Sequence, residues 1–121
     1  MEQAICKKEE LQEEGSKKLV TIGNKEIGIF NVGGSLYAVF NRCPHQAGPA
    51  CLGGLFDDVE AEVTSDRKIR EYVAGKGCVL ACPWHGWEYD IRTGRCLWNP
   101  KYRLATYDVK INQEGYVTIV F

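Results

Sequence analysis

The chain has 121 residues, with 15 Lys+Arg against 16 Asp+Glu for a net charge of -1, and 45% of its residues are apolar. That length and balance suit one globular domain with its own core, and they give no electrostatic reason to expect a nucleic acid or an acidic membrane as partner. With only two histidines, His45 and His85, any mechanism that needs three is excluded.

In chain order, residues 1–10 are charged and hold no apolar stretch, so neither a secretory leader nor a membrane segment is expected and the location expected is cytoplasmic. In that compartment six cysteines read as metal ligands and ordinary thiols, not as a disulfide scaffold. Residues 7–14 form the one helical stretch, about two turns long. Residues 18–22, 26–32 and 35–40 then read as short β-strands, the last two joined by Gly33-Gly34 as a hairpin. Residues 104–111 and 116–121 make a second hairpin across the turn at 112–115.

The stretch 41–101 differs. It holds all four prolines (44, 49, 83, 100), both histidines, all three tryptophans and five of the six cysteines. Gly and Pro punctuate it as in loops carried by a scaffold, so a β base is expected to carry a loop-rich head with the chemistry in the head. Within it, positions 57, 58, 60, 62 and 66 are acidic with no base among residues 57–66, and Arg67, Lys68 and Arg70 follow. This is read as a solvated surface excursion, with a docking surface as the alternative.

Two motifs hold both histidines: Cys43-Pro44-His45 and Cys82-Pro83-Trp84-His85. Each sets a thiolate near an imidazole on a proline-stiffened loop, and two such loops together make a Cys2His2 site. Those donors suit zinc, copper or iron–sulfur chemistry and disfavour magnesium and calcium. Common structural zinc patterns place like ligands together. Here each loop offers one Cys and then one His, which suits a cluster with two Cys on one iron and two His on the other.

The pair C-x-H and C-x2-H resembles the signature of Rieske [2Fe–2S] proteins, and the likeness runs further. Residues 82–94, from Cys82 through Trp87, Tyr89 and Arg92 to Gly94, resemble the second cluster loop of soluble Rieske ferredoxins and ring-hydroxylating oxygenases. Residues 32–39, ahead of Arg42-Cys43-Pro44-His45, resemble the approach to the first. The resemblance implies an all-β Rieske fold of stacked antiparallel sheets with an inserted loop-rich cluster-binding subdomain. It divides the chain into a base of residues 1–41 and 102–121 and a subdomain of about 42–101. Residues 46–81 make a longer gap between the motifs than is typical of these ferredoxins, which places an insertion at about 56–76. Positions matching the disulfide of respiratory members are Gly48 and Trp84, so that bridge is not expected.

By the same resemblance Cys43, His45, Cys82 and His85 hold a Rieske-type [2Fe–2S] cluster. Two neutral imidazoles in place of two thiolates remove negative charge and raise the potential, to roughly −150 to +300 mV for the class. The Ser that donates to the cluster in respiratory members is Trp87 here, while the corresponding Tyr remains as Tyr89, so a potential below the respiratory proteins is expected; packing in the head is the alternative role for Tyr89. Trp84 and Trp87 are expected to shield the cluster, Trp98 to lie in the core, and Pro100 to belong to a third covering loop. Arg42, Arg92, Arg95 and Lys101 are candidates for a basic collar, and Cys6, Cys51, Cys78 and Cys96 are expected to be partly buried thiols. The function implied is a one-electron carrier between a flavin-dependent reductase and a terminal oxygenase. The alternatives are the small subunit of an NAD(P)H nitrite reductase, with its large subunit as partner, and a non-redox zinc or structural adaptor. The chain is not expected to be the oxygenase, because both histidines are taken, nor to bind NAD(P)H, because it lacks a Gly-rich fingerprint.

Overall fold

The computed structural model describes residues 2–42, 49–83, 87–99 and 101–120. They form β1 (Glu2–Lys7), β2 (Lys17–Ile22), β3 (Lys25–Val32), β4 (Ser35–Phe40), β5 (Leu55–Val63), β6 (Ile69–Ala81), β7 (Glu88–Asp90), β8 (Thr106–Ile111) and β9 (Tyr116–Val120). One sheet runs β1-β9-β8-β4-β3-β2 and the other β5-β6-β7, and every pairing is antiparallel.

The β3–β4 hairpin forms as its sequence predicts. Val32 pairs with Ser35, and Gly33 and Gly34 both take positive φ, 61° and 88°, which a two-residue hairpin turn needs and only glycine supplies cheaply. Beside it, the buried Asn31 is satisfied on both sides: its Nδ2 donates to the Leu11 carbonyl at 2.7 Å and its Oδ1 accepts from Gly34 N–H at 3.0 Å. A buried amide left unpaired would cost about 1–3 kcal/mol.

Strand β3 is covered on both faces, which explains its nearly unbroken apolar run. Ile27 and Ile29 point into a core with Leu11, Ala38, Val117 and Ile119. Phe30 and Val32 point the other way, into a core shared with the head through Val79, Leu80, Cys82, Tyr89 and Ile91. The second core joins base and head.

Two expectations are corrected here. The helix expected at residues 7–14 is only a 3₁₀ turn, Lys8–Leu11, and the residues before it are β1. Pairing with β9 decides this: β1 follows β9 from Glu2↔Val120 to Lys7↔Tyr116, with a bulge between Ala4 and Cys6, and buries Cys6. The Lys8 N–H then donates to the Gly115 carbonyl at 2.9 Å, which turns the chain away from an α-helical course. The second correction concerns the head. Asp57, Glu62 and Asp66 of the acidic stretch are exposed, as expected, but the segment is regular: residues 55–63 and 69–81 form a long β-hairpin. Near its tip Val63 and Ile69 pair while 74% and 75% exposed. An Arg70–Glu62 ion pair at 3.4 Å crosses the strands, and the Thr64 hydroxyl donates to Asp66 in the turn.

Candidate metal centre

Cys82 stands at the end of β6 and is 1% exposed. Its N–H donates to the Trp87 carbonyl at 2.7 Å, closing the base of the second motif loop. Beyond that closure β7 pairs with β6 from Glu88↔Ala81 to Asp90↔Val79. The loop is therefore strapped to two strands of one sheet.

The turn after β7 is held tightly. Gly94, with φ 80°, donates its N–H to the Asp90 carbonyl at 2.7 Å, and a Cβ there would lie 2.2 Å from the Leu104 carbonyl oxygen. The Asp90 carboxylate accepts from Arg92 Nε at 3.0 Å, from its terminal nitrogen at 2.9 Å and from its backbone N–H at 2.9 Å. Burial works to raise the Asp90 carboxyl, but these Arg92 hydrogen bonds outweigh it and hold the carboxyl below its ordinary range. Arg92 is thus committed to Asp90, which removes it from the expected basic collar.

This pair sets a pH dependence. The folded Asp90 value lies below the unfolded one of about 3.9, so its stabilisation is complete above about pH 4 and is lost as pH falls through the lowered folded value. Asp90→Asn should lower the thermal midpoint at pH 7, by an amount worth about 1 kcal/mol or less for a pair whose Arg92 partner is in contact with solvent. Melting curves of both proteins should begin to approach each other near about pH 4 and converge only below the lowered folded value of Asp90; a gap that persists there would show that the loss is not electrostatic.

Residues 43–48 lie outside the described residues, but both ends of their loop are in place. Asn41 Oδ1 accepts from Cys51 N–H at 2.8 Å, which ties the strand entering the loop to the 3₁₀ turn leaving it, Ala50–Leu52. Lys17 Nζ donates to the Cys51 carbonyl at 3.0 Å. The Cys51 side chain fills a notch in β3: a Cβ on Gly28 would lie 2.5 Å from Cys51 Sγ. Burial pushes the Cys51 thiol up to about 12, so it stays protonated and inert. After the turn, Gly54 accepts from Ala81 N–H at 3.1 Å, one residue before Cys82. The exit of the first loop and the entrance of the second are neighbours.

Aromatic side chains flank the second loop. Trp87 meets Tyr102 edge to face at 5.1 Å and Trp98 at 5.9 Å. Trp98, expected in the core, lies outside it: it is 55% exposed, with its indole N–H donating to Glu88 at 3.2 Å. An indole that places its N–H on a surface carboxylate keeps that end in water. Tyr89 is fully buried in the core shared with Cys82. Cys6, Cys51, Cys78 and Cys96 are buried more completely than expected, and Cys51 and Cys78 form no disulfide with each other.

Of the expected ligands, the structure places Cys82; Cys43, His45 and His85 lie outside the described residues, as do Trp84 and Pro100. Asn41, Gly28, Gly53 and Tyr102 also support the site, and no motif in the sequence marks them. Asn41, directly before the first motif, carried a weak signal, since Asn often bonds nearby backbone.

The donor set fits a Rieske-type cluster. Cys82 is shielded from water on a closed loop beside the exit of the other loop, and the two motifs supply the soft thiolates and imidazoles such a cluster takes.

Comparison with known proteins agrees. The family model described as Rieske [2Fe-2S] domain matches residues 1–108. The ferredoxin component of the naphthalene 1,2-dioxygenase system of Pseudomonas aeruginosa is 31% identical over 99 residues, covering 81% of this chain and 76% of that protein. Nitrite reductase [NAD(P)H] of Emericella nidulans is 28% identical over 98 residues, which are 78% of this chain but only 8% of that protein. Among solved structures, the complex of reduced oxygenase and oxidized ferredoxin in carbazole 1,9a-dioxygenase contains a chain that superposes with a TM-score of 0.70 at 21% identity, covering 98% of this chain and 92% of that one.

Proposed function

Because the chain belongs to the Rieske [2Fe–2S] domain family, we propose that it is a one-electron carrier, the ferredoxin component that passes electrons from a flavin-dependent reductase to a terminal oxygenase. The observation that carries this reading is the 31% identity to a dioxygenase ferredoxin component over most of both chains. In this reading Cys43, Cys82, His45 and His85 would hold the cluster, two thiolates and two imidazoles. The bound cluster supplies reversible acceptance of a single electron.

The chain's own residues do the rest. The Cys82 N–H bond to Trp87 fixes the backbone from which the thiolate projects. The Asn41–Cys51 bond ties together the two ends of the first loop. Trp87 and Tyr102 exclude water beside the second loop, lowering the local dielectric in which charge is gained and lost. The buried head–base core, with Tyr89 in it, packs around Cys82.

An EPR spectrum of anaerobically purified protein after dithionite reduction tests the reading, beside a visible spectrum. A rhombic signal with an average g below that of all-cysteine clusters is expected, and His85→Ala or Cys43→Ser should bleach it. A colourless protein with one zinc per chain would overturn the carrier function in favour of a structural adaptor. The nitrite reductase similarity supports a second reading, as the small subunit of such an enzyme. Tight co-purification with a large catalytic subunit from the native host would favour it, whereas reduction by a separate flavin reductase and oxidation by an oxygenase favour the ferredoxin.

A further inference from the structure

We propose that Gly53 is a positioning residue for Cys82: its missing side chain lets the turn that leaves the first ligand loop seat directly on the peptide that carries Cys82. The proposal rests on the reading of Cys82 as a cluster ligand. Gly53 has φ -75° and ψ 169°, extended backbone open to any residue, so conformation gives no reason for glycine there. Space does. A Cβ at position 53 would lie 1.6 Å from the Ala81 carbonyl oxygen and 2.8 Å from its carbonyl carbon. Both atoms are backbone, and they belong to the peptide whose nitrogen is that of Cys82.

That peptide has little room to yield. Its N–H end, on Cys82, donates to the Trp87 carbonyl at 2.7 Å, and the preceding Ala81 N–H donates to Gly54 at 3.1 Å. Leu80 and Cys82, on either side of Ala81, are 0% and 1% exposed in the packed core. The turn is fixed as well: Gly53 N–H donates to the Ala50 carbonyl at 3.0 Å, Cys51 is wedged against Gly28, and Lys17 and Asn41 hold the Cys51 backbone. Any side chain at position 53 must rotate the Ala81–Cys82 peptide, breaking the bond that closes the second loop, or lift the turn away from the strand. Either movement changes the distance between the two ligand loops. Gly53 acts through the Ala81–Cys82 peptide.

Gly54 is the internal control. Its φ is not positive, and among the described residues a Cβ there would meet only ring atoms of Phe56, at 3.1 Å. That ring is 54% exposed and can swing away.

The full chain, purified anaerobically, is compared as wild type, Gly53→Ala, Gly54→Ala and a variant with one glycine inserted after Leu52. The insertion slackens the seat without adding a side chain, so it decides the question if Gly53→Ala fails to fold. Circular dichroism and thermal midpoint report the fold; iron per chain, EPR g values and the rate of bleaching by a chelator report the site. Gly53→Ala and the insertion should keep the β spectrum, shift the g values and lose the cluster ~10-fold faster or more, the scale seen when groups behind metal ligands are disturbed. Gly54→Ala should match wild type. Wild-type g values and bleaching rates in both Gly53→Ala and the insertion variant would overturn the proposal, as would equal losses in Gly53→Ala and Gly54→Ala. A wild type without a two-histidine EPR signal would instead overturn the ligand reading on which it rests.

Discussion

Replacing both histidines, His45→Cys with His85→Cys, should lower the reduction potential by hundreds of millivolts, from the Rieske range of roughly −150 to +300 mV toward about −400 mV, the value of plant-type all-cysteine ferredoxins. The cause is charge. Each exchange puts a thiolate where a neutral imidazole stood, so an added electron joins a centre two negative charges richer. The Cys82 N–H bond to the Trp87 carbonyl and the Cys51 N–H bond to the Asn41 side chain lie outside the exchanged positions, so the exchange alters the donors more than their support. Protein-film voltammetry reads the potential, and EPR of the same samples should show the average g rising to the all-cysteine value. An intact cluster with unchanged potential and g values would mean that the histidines are not ligands.

The largest stability effect is expected at Phe30. Its ring is fully buried on β3 in the core that joins the base sheet to Val79, Leu80 and Cys82 of the head. Phe30→Ala should cost about 3–5 kcal/mol, the sum of lost burial and an unfilled cavity. That is a large part of the stability of a domain this size, and it should lower the thermal midpoint by roughly 10–20 °C. Ile69→Ala, at the exposed tip of the hairpin, removes a side chain of the same class yet should change stability by no more than about 0.5 kcal/mol. Parallel denaturant titrations check the contrast. A similar loss at both positions would mean that the hairpin tip is covered in solution.

The strands that could be read beforehand are those whose apolar residues alternate between strong turn signals. Residues 25–40 are the clearest case, because Gly33-Gly34 permits a turn that few other pairs do. The strands that escaped notice have a different origin. β1 is polar and partly exposed, and it is a strand because β9 offers it a partner about a hundred residues away. The β5–β6 hairpin is rich in acids and bases, so the burial pattern that usually marks a strand is faint, and cross-strand backbone bonds define it instead. Trp98 shows the same limit in one side chain: a large aromatic is expected inside, but Glu88, ten residues away, gives its N–H a partner at the surface.

The residues alone pointed to the class of chemistry, because donor type is a property of side chains and two Cys–His pairs at short spacings offer the donors of a Rieske-type cluster. They also marked the β base, because hairpin turns and alternation are local. Only the tertiary structure decided how the head is held: that Cys51 fills the notch above Gly28, that Asn41 closes the first loop, and that Gly53 seats on the Ala81 carbonyl beside Cys82. Those contacts join segments far apart in the chain, and their energies come from close approach and excluded volume, which no local spacing of residues encodes.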